Sequence, residues 1–235
     1  MGCSEVGTVS KLRPISIERD YVNTAFSSVL YSSGDTKVLV TTSIGDRVPN
    51  WLIGRNQGWV TAEYSMLPGS SSQRVSRSAY DKGRAKEISR LIGRSLRTII
   101  DLEKIEGLVI TVDCDVIQAD GGTRTAAING AWVALKDTFD KLIVNKDIKD
   151  NPLLGQIAAV SVGTVEKEVI LDLDYSQDSK ADVDLNVVMT SDKEFIEIQG
   201  TGERKSFSQK ELEEMIKTAS DGIDEILDRQ MEEFS

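Results

Sequence analysis

The chain has 235 residues, a net charge of −10, 40% apolar residues and 28% charged residues, which is the composition of an ordinary globular protein. It contains no histidine, which excludes a Ser-His-Asp or Cys-His catalytic pair, an imidazole general base and a histidine-bound zinc ion. Any enzyme chemistry must therefore use carboxylates, arginines or a hard metal ion.

The charge and the cysteine content of the chain limit the classes of partner and the cellular compartment that we expect for it. A pI near 4.7 argues, taken alone, against a nucleic-acid partner, because phosphate backbones attract Lys and Arg. Cys3 and Cys114 are too few for a disulfide framework, which indicates a reducing environment. No apolar run is long enough to span a membrane and no signal-peptide pattern is present, so we expect a cytoplasmic protein without a membrane partner.

The first half of the sequence predicts strands followed by one helix. Residues Ile15–Met66 combine β-branched runs with turn signals, which indicates several antiparallel strands. A loop rich in serine and glycine covers Pro68–Gly83. Apolar residues then recur every three or four positions over Arg84–Leu102, which predicts a helix with a buried face. A different face of this helix carries three arginines: Arg90, Arg94 and Arg97.

The rest of the sequence predicts a strand, a helix, more strands and a final helix. Residues Leu108–Val116 alternate as a half-buried strand, and a helix is expected from about Thr123 into the 140s. The final helix begins after Ser208, which forms a capping box with Glu211. Four further strands are predicted at Ile157–Thr164, Val169–Leu173, Asp184–Thr190 and Phe195–Gln199.

This order of elements indicates an α+β fold with mixed sheets and packed helices. Residues 1–235 contain no Pro- or Gly-rich linker, so we expect a single domain. Each half ends a cluster of strands with a helix, which is compatible with two loosely duplicated halves that meet at a seam near 145–155.

The turn Gln118–Ala126 carries two glycines, two threonines and an arginine at a predicted helix start. The first amides of a helix lack intrahelical partners and lie at its positive end, so they bind anions. Glycine lets the backbone approach a ligand closely, and Arg124 can hold a phosphate with two donors. The spacing is compatible with a phosphate site and also with a tight turn that has surface caps.

The segment Arg74–Arg97 is strongly basic. It holds eight cationic and two acidic residues, a net charge of +6 within a protein of −10. Such a run is often a solvated face, but an arginine-rich loop beside a helix start also suits a phosphodiester chain. Arg84, at the start of the predicted helix, is placed like Arg124 to bind an anion.

Five aspartates fall within thirteen residues, over Asp172–Asp184. Apolar side chains alternate with Asp182, Asp184 and Asn186, so one face of a strand carries carboxylates. Asp178 and Asp184 could converge if the chain between them bends, and converging carboxylates require a cation such as Mg²⁺ or a shared proton. A solvated acidic loop is the alternative.

Four stretches resemble the bacterial ribonuclease PH family: Gly58–Pro68, Glu87–Arg94, Asp113–Ala126 and Asp178–Thr190. The resemblance extends from Leu12 to the final helix. It implies a ribonuclease PH-like fold, with the topology of ribosomal protein S5 domain 2. It also implies a phosphorolytic 3′→5′ exoribonuclease that trims precursor tRNA, consumes inorganic phosphate and releases nucleoside 5′-diphosphates. Family members are homohexamers, trimers of dimers with a central opening for RNA.

The resemblance also implies residue roles. The phosphate ligands are Arg84, Gly122, Thr123 and Arg124. The catalytic carboxylates, which also bind Mg²⁺ or Mn²⁺, are Asp178 and Asp184. The RNA-binding arginines of the family's arginine loop are Arg74 and Arg77. The charge of the basic segment, rather than the resemblance, adds Arg90, Arg94 and Arg97 as RNA-binding candidates.

Departures from the family pattern affect the RNA path. The loop Arg77–Gly83 is shorter than expected, and Gly69 stands where the family often has an arginine. Two alternatives stay open: a ring subunit of an exosome-like RNA degradation complex, and a catalytically silent RNA-binding ring subunit. The block Trp59–Pro68 favours the stand-alone enzyme, and the retained phosphate arginines and acidic pair argue against a silent subunit.

Overall fold

The computed structural model describes residues 11–45, 48–78 and 83–235. Cys3, Lys82, most of the shortened loop after Arg77, and the N-terminal residues on which the signal-peptide expectation rests lie outside these ranges.

The first sheet has five strands in the order β1-β2-β3-β5-β4. They are β1 (Ile15–Arg19), β2 (Ser27–Ser33), β3 (Thr36–Gly45), β4 (Trp59–Met66) and β5 (Val109–Gln118). Strands β1, β2 and β3 are antiparallel, as predicted for Ile15–Met66, and β3 also pairs antiparallel with β5. Strand β4 departs from the prediction, because it runs parallel to β5. The parallel pair requires a crossover, and helix α1 (Gly83–Thr98) supplies it.

The second sheet has four antiparallel strands in the order β7-β6-β8-β9. They are β6 (Ile157–Val165), β7 (Glu168–Leu171), β8 (Val183–Thr190) and β9 (Phe195–Gly202). All four were predicted. Strand β7 ends two residues early because Asp172 adopts a left-handed φ of 54°, which turns the chain out of the sheet.

Helix α2 (Thr123–Val144) lies between the two sheets and contacts β2, β3, β5 and β6. Its side chains are buried nearly all round, as its apolar composition requires. At Gly130 a Cβ would lie 3.0 Å from both Tyr31 and Val40, so glycine lets the helix approach the first sheet closely. Helix α4 (Gln209–Glu232) covers the other face of the second sheet. No helix in the described ranges is long and apolar enough to cross a membrane.

Local sequence signals were sufficient to predict some of the helix ends, and tertiary contacts determine the others. Helix α4 begins with the predicted capping box, in which the Ser208 N–H donates to Glu211 (2.7 Å) and the Glu211 N–H donates back to Ser208 (3.3 Å). Helix α1 ends at Thr98 rather than at Leu102. Ile100 instead forms a bridge with Leu153, so a tertiary contact ends the helix. A four-residue helix, α3 (Tyr175–Asp178), was not predicted.

A buried network around Asp172 joins the two halves of the molecule. Its carboxylate accepts from the Arg13 side chain (2.7 Å), the Arg13 backbone N–H (3.1 Å) and the Ser33 hydroxyl (2.8 Å). Arg13 also donates to the carbonyl of Asp120 (2.5 Å), in the turn before α2. Because Asp172 is 6% exposed, its charge depends on these partners.

We expect Asp172→Ala to lower the free energy of unfolding by about 2 to 3 kcal/mol, because it leaves the Arg13 guanidinium partly buried without its carboxylate. Urea unfolding followed by circular dichroism measures the change. Asp224→Ala is the matched control, since Asp224 forms an exposed ion pair with Lys193 that should contribute less than about 1 kcal/mol. Equal midpoints for the two variants would contradict a role for the buried network.

Candidate active site

A cavity of about 540 Å³ lies between the loop after β4, the start of α2 and the second sheet. A second cavity of about 360 Å³ adjoins it. The predicted phosphate ligands, both predicted carboxylates and Arg74 all line the larger cavity. The residues that line both cavities are Arg84, Arg124, Asp178, Asp184 and Asn186.

The turn before α2 is shaped by two glycines in the left-handed region. Gly121 has φ 75° and Gly122 has φ 62°. A Cβ at Gly121 would lie 2.3 Å from the carbonyl oxygen of Leu173, so only glycine fits there. The Thr36 hydroxyl donates to the Gly121 carbonyl (2.6 Å) and accepts from the Asp120 N–H (2.9 Å). The turn is therefore fixed from β3 as it presents the first amides of α2 to the cavity.

Arg124 is held in place by neighbours on two other elements. Its Nη1 donates to Gln199 Oε1 on β9 (2.5 Å) and lies 3.7 Å from Glu87 Oε1 on α1. Gln199 in turn donates to Glu87 (3.2 Å). Because the Arg124 side chain is only 15% exposed, its guanidinium is positioned before an anion arrives. Arg84, on the first turn of α1, lines the same cavity.

Tyr64 orients the threonine of the turn. Its hydroxyl lies 2.8 Å from the Thr123 hydroxyl. Burial raises the pKa of Tyr64 above its usual value, so the phenol stays protonated at neutral pH. Tyr64 belongs to the Gly58–Pro68 stretch, but nothing in the sequence alone paired it with Thr123.

The two predicted carboxylates share the cavity and both hold protons more tightly than usual. Burial, followed by the charge of Asp178, raises the pKa of Asp184 to about 6. Burial also raises the pKa of Asp178, against the opposing charges of Arg84 and Arg124. Asn186 donates to Asp184 Oδ2 (3.2 Å) and fixes its orientation. Asp184 can therefore hold or release a proton near neutral pH.

The same pair is suited to a divalent cation. Within the described ranges no cluster of three acidic or thiol side chains could hold a metal by itself. Mg²⁺ is commonly bound by one or two carboxylates while water and substrate phosphates complete its shell. The raised pKa of both aspartates reports a site where added positive charge would be favourable.

We expect Asp184→Asn to raise the free energy of unfolding at pH 8 by about 1 to 2 kcal/mol in metal-free buffer. The folded protein binds the Asp184 proton more tightly than the unfolded chain does, so its contribution falls as pH rises from about 4 to about 6 and stays low above that. The asparagine variant lacks this loss. Thermal unfolding at pH 4 and pH 8 measures it; a variant less stable than wild type at pH 8 would contradict the assignment.

Four predicted RNA-binding arginines lie outside both cavities. Arg77 and Arg90 are exposed. Arg94 forms an ion pair with Glu197 on β9 (2.6 Å). Arg97 stacks on Trp59, 4.4 Å from the ring centroid, and donates to the carbonyl of Val60 (2.8 Å). The structure therefore gives Arg94 and Arg97 contacts within the chain, while Arg74 remains beside the cavity.

Several residues that line the cavity or support the turn beside it were not among the predicted site residues. Asp172 belongs to the aspartate run and Asn186 was placed on the carboxylate face of its strand, so both had a signal. The others became visible only in three dimensions, and no local pattern marks them: Arg13, Thr36, Ser161 and Gln199.

Two domain models of one known family match this chain. Residues 11–139 match domain 1 of the 3′ exoribonuclease family, and residues 155–222 match domain 2. The chain belongs to the 3′ exoribonuclease family. This membership, together with one mixed and one antiparallel sheet and their packed helices, confirms the predicted ribonuclease PH-like α+β fold.

Two solved structures share the fold at low sequence identity. Rrp46 from rice (Oryza sativa) is 20% identical, with a TM-score of 0.76 over 95% of this chain and 96% of that one. A chain of the Archaeoglobus fulgidus exosome with RNA bound to the active site is also 20% identical, with a TM-score of 0.76 over 96% of this chain and 89% of that one.

Proposed function

We propose that this chain is a phosphorolytic 3′→5′ exoribonuclease. The observation that carries the proposal is one cavity lined by three arginines, a helix start and an aspartate whose pKa is about 6. This set supplies what phosphorolysis needs: a site for an inorganic phosphate, positive charge for the phosphodiester, and a proton for the leaving oxygen.

Inorganic phosphate is the nucleophile in this mechanism. Arg84 and Arg124 hold its oxygens by charge-assisted hydrogen bonds, together with the Thr123 hydroxyl and the first amides of α2. Held there, one phosphate oxygen attacks the phosphorus of the terminal phosphodiester in line with the bond that breaks. Most of the rate enhancement then comes from positioning and charge neutralisation.

The leaving group is the 3′-oxygen of the penultimate nucleotide. As its bond to phosphorus breaks, Asp184 donates a proton to it, which yields an RNA with a free 3′-hydroxyl and a nucleoside 5′-diphosphate. Burial, followed by the charge of Asp178, keeps the pKa of Asp184 raised, so the proton is available near neutral pH.

We further propose that Mg²⁺ or Mn²⁺ binds at Asp178 and Asp184. Ionised Asp178 would supply the charge that holds the cation, and Asp184 would offer it only the carboxyl oxygen that bears no proton. When bound, the cation would add positive charge beside the reacting phosphates. Addition of MgCl₂ should raise the melting temperature of the wild-type protein and leave that of the Asp178→Asn/Asp184→Asn double variant unchanged. Equal shifts in both proteins would place the cation elsewhere.

We consider two proposals for the assembly that this chain forms. The likeness to the A. fulgidus exosome chain supports a ring subunit of an exosome-like complex that contacts RNA. The Trp59–Pro68 block supports the other, a homohexamer that trims precursor tRNA. We give the exosome-like subunit precedence, because both structural neighbours cover nearly the whole chain and one comes from such a complex. Retention of both arginines and both aspartates supports an active subunit in either case.

One experiment tests the activity and the assembly together. The purified chain is incubated with a tRNA that has extra 3′ nucleotides, with and without inorganic phosphate, and the products are separated while light scattering gives the mass. Nucleoside diphosphates that form only with phosphate are expected. Monophosphates formed without phosphate would overturn phosphorolysis. Activity by a homohexamer would favour the tRNA enzyme, and activity that appears only with other ring subunits would favour the exosome-like complex.

A further inference from the structure

Ser161 is a buried hydroxyl that faces the cavity without a partner. The residue lies on β6, is 4% exposed and lines the larger cavity. Its Oγ makes no hydrogen bond to any described residue. A buried hydroxyl left unpaired is unfavourable, so this position in the cavity wall points to a ligand that satisfies it.

The register of the second sheet places Ser161 beside the proton donor of the proposed reaction. Ser161 pairs directly with Asn186 across β6 and β8, so the two side chains lie on the same face of the sheet. Asp184 lies two residues from Asn186 on that face and accepts its hydrogen bond. Ser161, Asn186 and Asp184 therefore lie near one another on the face of the second sheet that lines the larger cavity.

The chemistry of the leaving group identifies which group of the substrate contacts these three side chains. If Asp184 protonates the 3′-oxygen of the penultimate ribose, the 2′-hydroxyl on the adjacent carbon must lie beside Asp184 too. On the β9 side, Asp184 pairs directly with Thr201, which is exposed and lines the smaller cavity. Toward β6 and the larger cavity, its polar neighbours on that face are the Asn186 amide and, diagonally, the Ser161 hydroxyl. A ribose 2′-hydroxyl both donates and accepts, so it can satisfy the buried Ser161 Oγ.

We propose that Ser161, with Asn186, forms a subsite for the 2′-hydroxyl next to the leaving 3′-oxygen, and that this subsite selects RNA over DNA at the bond that is cleaved. The inference rests on the proposed function. Neither family membership nor the predicted ligand set gives Ser161 a role in the reaction.

The test compares two RNA substrates that differ only in the 2′-oxygen of the penultimate nucleotide. We expect wild-type protein to cleave the all-ribose RNA at least tenfold faster in the first turnover. Ser161→Ala should reduce that rate about tenfold and leave the rate on the deoxy substrate and the KM for phosphate unchanged. The variant should fold normally, because Ser161 Oγ has no partner to lose.

Thr164→Val is the matched control. Thr164 lies on the same strand, is 3% exposed and also has an unpartnered hydroxyl, but it lies on the opposite face and lines neither cavity. Its variant should keep the wild-type preference for RNA. Equal losses on both substrates by Ser161→Ala, or a raised KM for phosphate, would overturn the subsite alone. A wild-type protein that shortens neither RNA with phosphate would overturn the proposed function itself.

Discussion

Replacement of Arg124 by Ala should lower kcat/KM for phosphate by roughly 10³-fold. The variant loses two charge-assisted hydrogen bonds to the attacking phosphate, each worth about 1.5 to 3 kcal/mol. Most of the loss should appear as a higher KM for phosphate, because Arg124 is already positioned by Gln199 and Glu87 before phosphate arrives. Arg124→Lys should recover only part of the activity, since lysine is a point charge without the planar fork.

Initial rates at increasing phosphate concentration, with RNA saturating, measure this effect. Arg229→Ala is the control for loss of an arginine, because Arg229 forms an exposed ion pair with Glu232 on α4 and lines neither cavity. It should behave as wild type. An Arg124→Ala protein with wild-type rates at limiting phosphate would refute the phosphate site.

Replacement of Asp184 by Asn should lower kcat by about 10²- to 10⁴-fold, the usual range for loss of a general acid. The KM for phosphate should change little, because the asparagine keeps the size and the polar contacts of the aspartate but carries no proton to donate. Asp182→Asn is the matched control, since Asp182 is on the same segment, pairs with Lys205 (2.9 Å) and lines neither cavity. It should retain nearly full activity.

The pH profile separates proton donation from simple charge stabilisation. Asp184 must be protonated to act as the acid, so kcat should fall as pH rises through its pKa. That pKa is about 6 in the free protein. The negative charge of bound phosphate and RNA raises it, and a cation bound beside it lowers it. The residual activity of the Asp184→Asn variant should lack this descending limb. A wild-type rate that instead rises with pH across this range would show that the ionised form is the active one.

Sequence reasoning was strongest where a local signal and the fold require the same residue. The alternation of β5 predicted its buried face, and the capping box predicted the start of α4. The two glycines, Thr123 and Arg124 are adjacent in the chain, so their common location needed no tertiary information. Convergence of Arg84 and Asp184 with them was expected from the family resemblance, and spacing alone could not establish it.

The structural features that could not be predicted from the sequence depend on contacts between distant segments. In the sequence, Arg97 is one of several cations in a basic run. Its position over the Trp59 ring follows from the packing of α1 on β4. Ser161 sits in an apolar strand with no motif around it, and its importance follows from its register with Asn186. The network of Arg13 and Asp172 joins residues 159 positions apart. Long-range pairs of this kind have no periodicity that sequence analysis could detect.

Helix α2, packed between the two sheets, also bears on how the protein is made. While the nascent chain has left the ribosome only as far as the end of α2, the face of the helix that later meets β6 is still exposed and apolar, which makes the unfinished chain a client for chaperones. The phosphate-binding turn is by then already translated, but Asp184 and Gln199 are not. If the chain has the proposed activity, that activity therefore requires completion of the second sheet, and a chain terminated before β8 would be inert toward RNA.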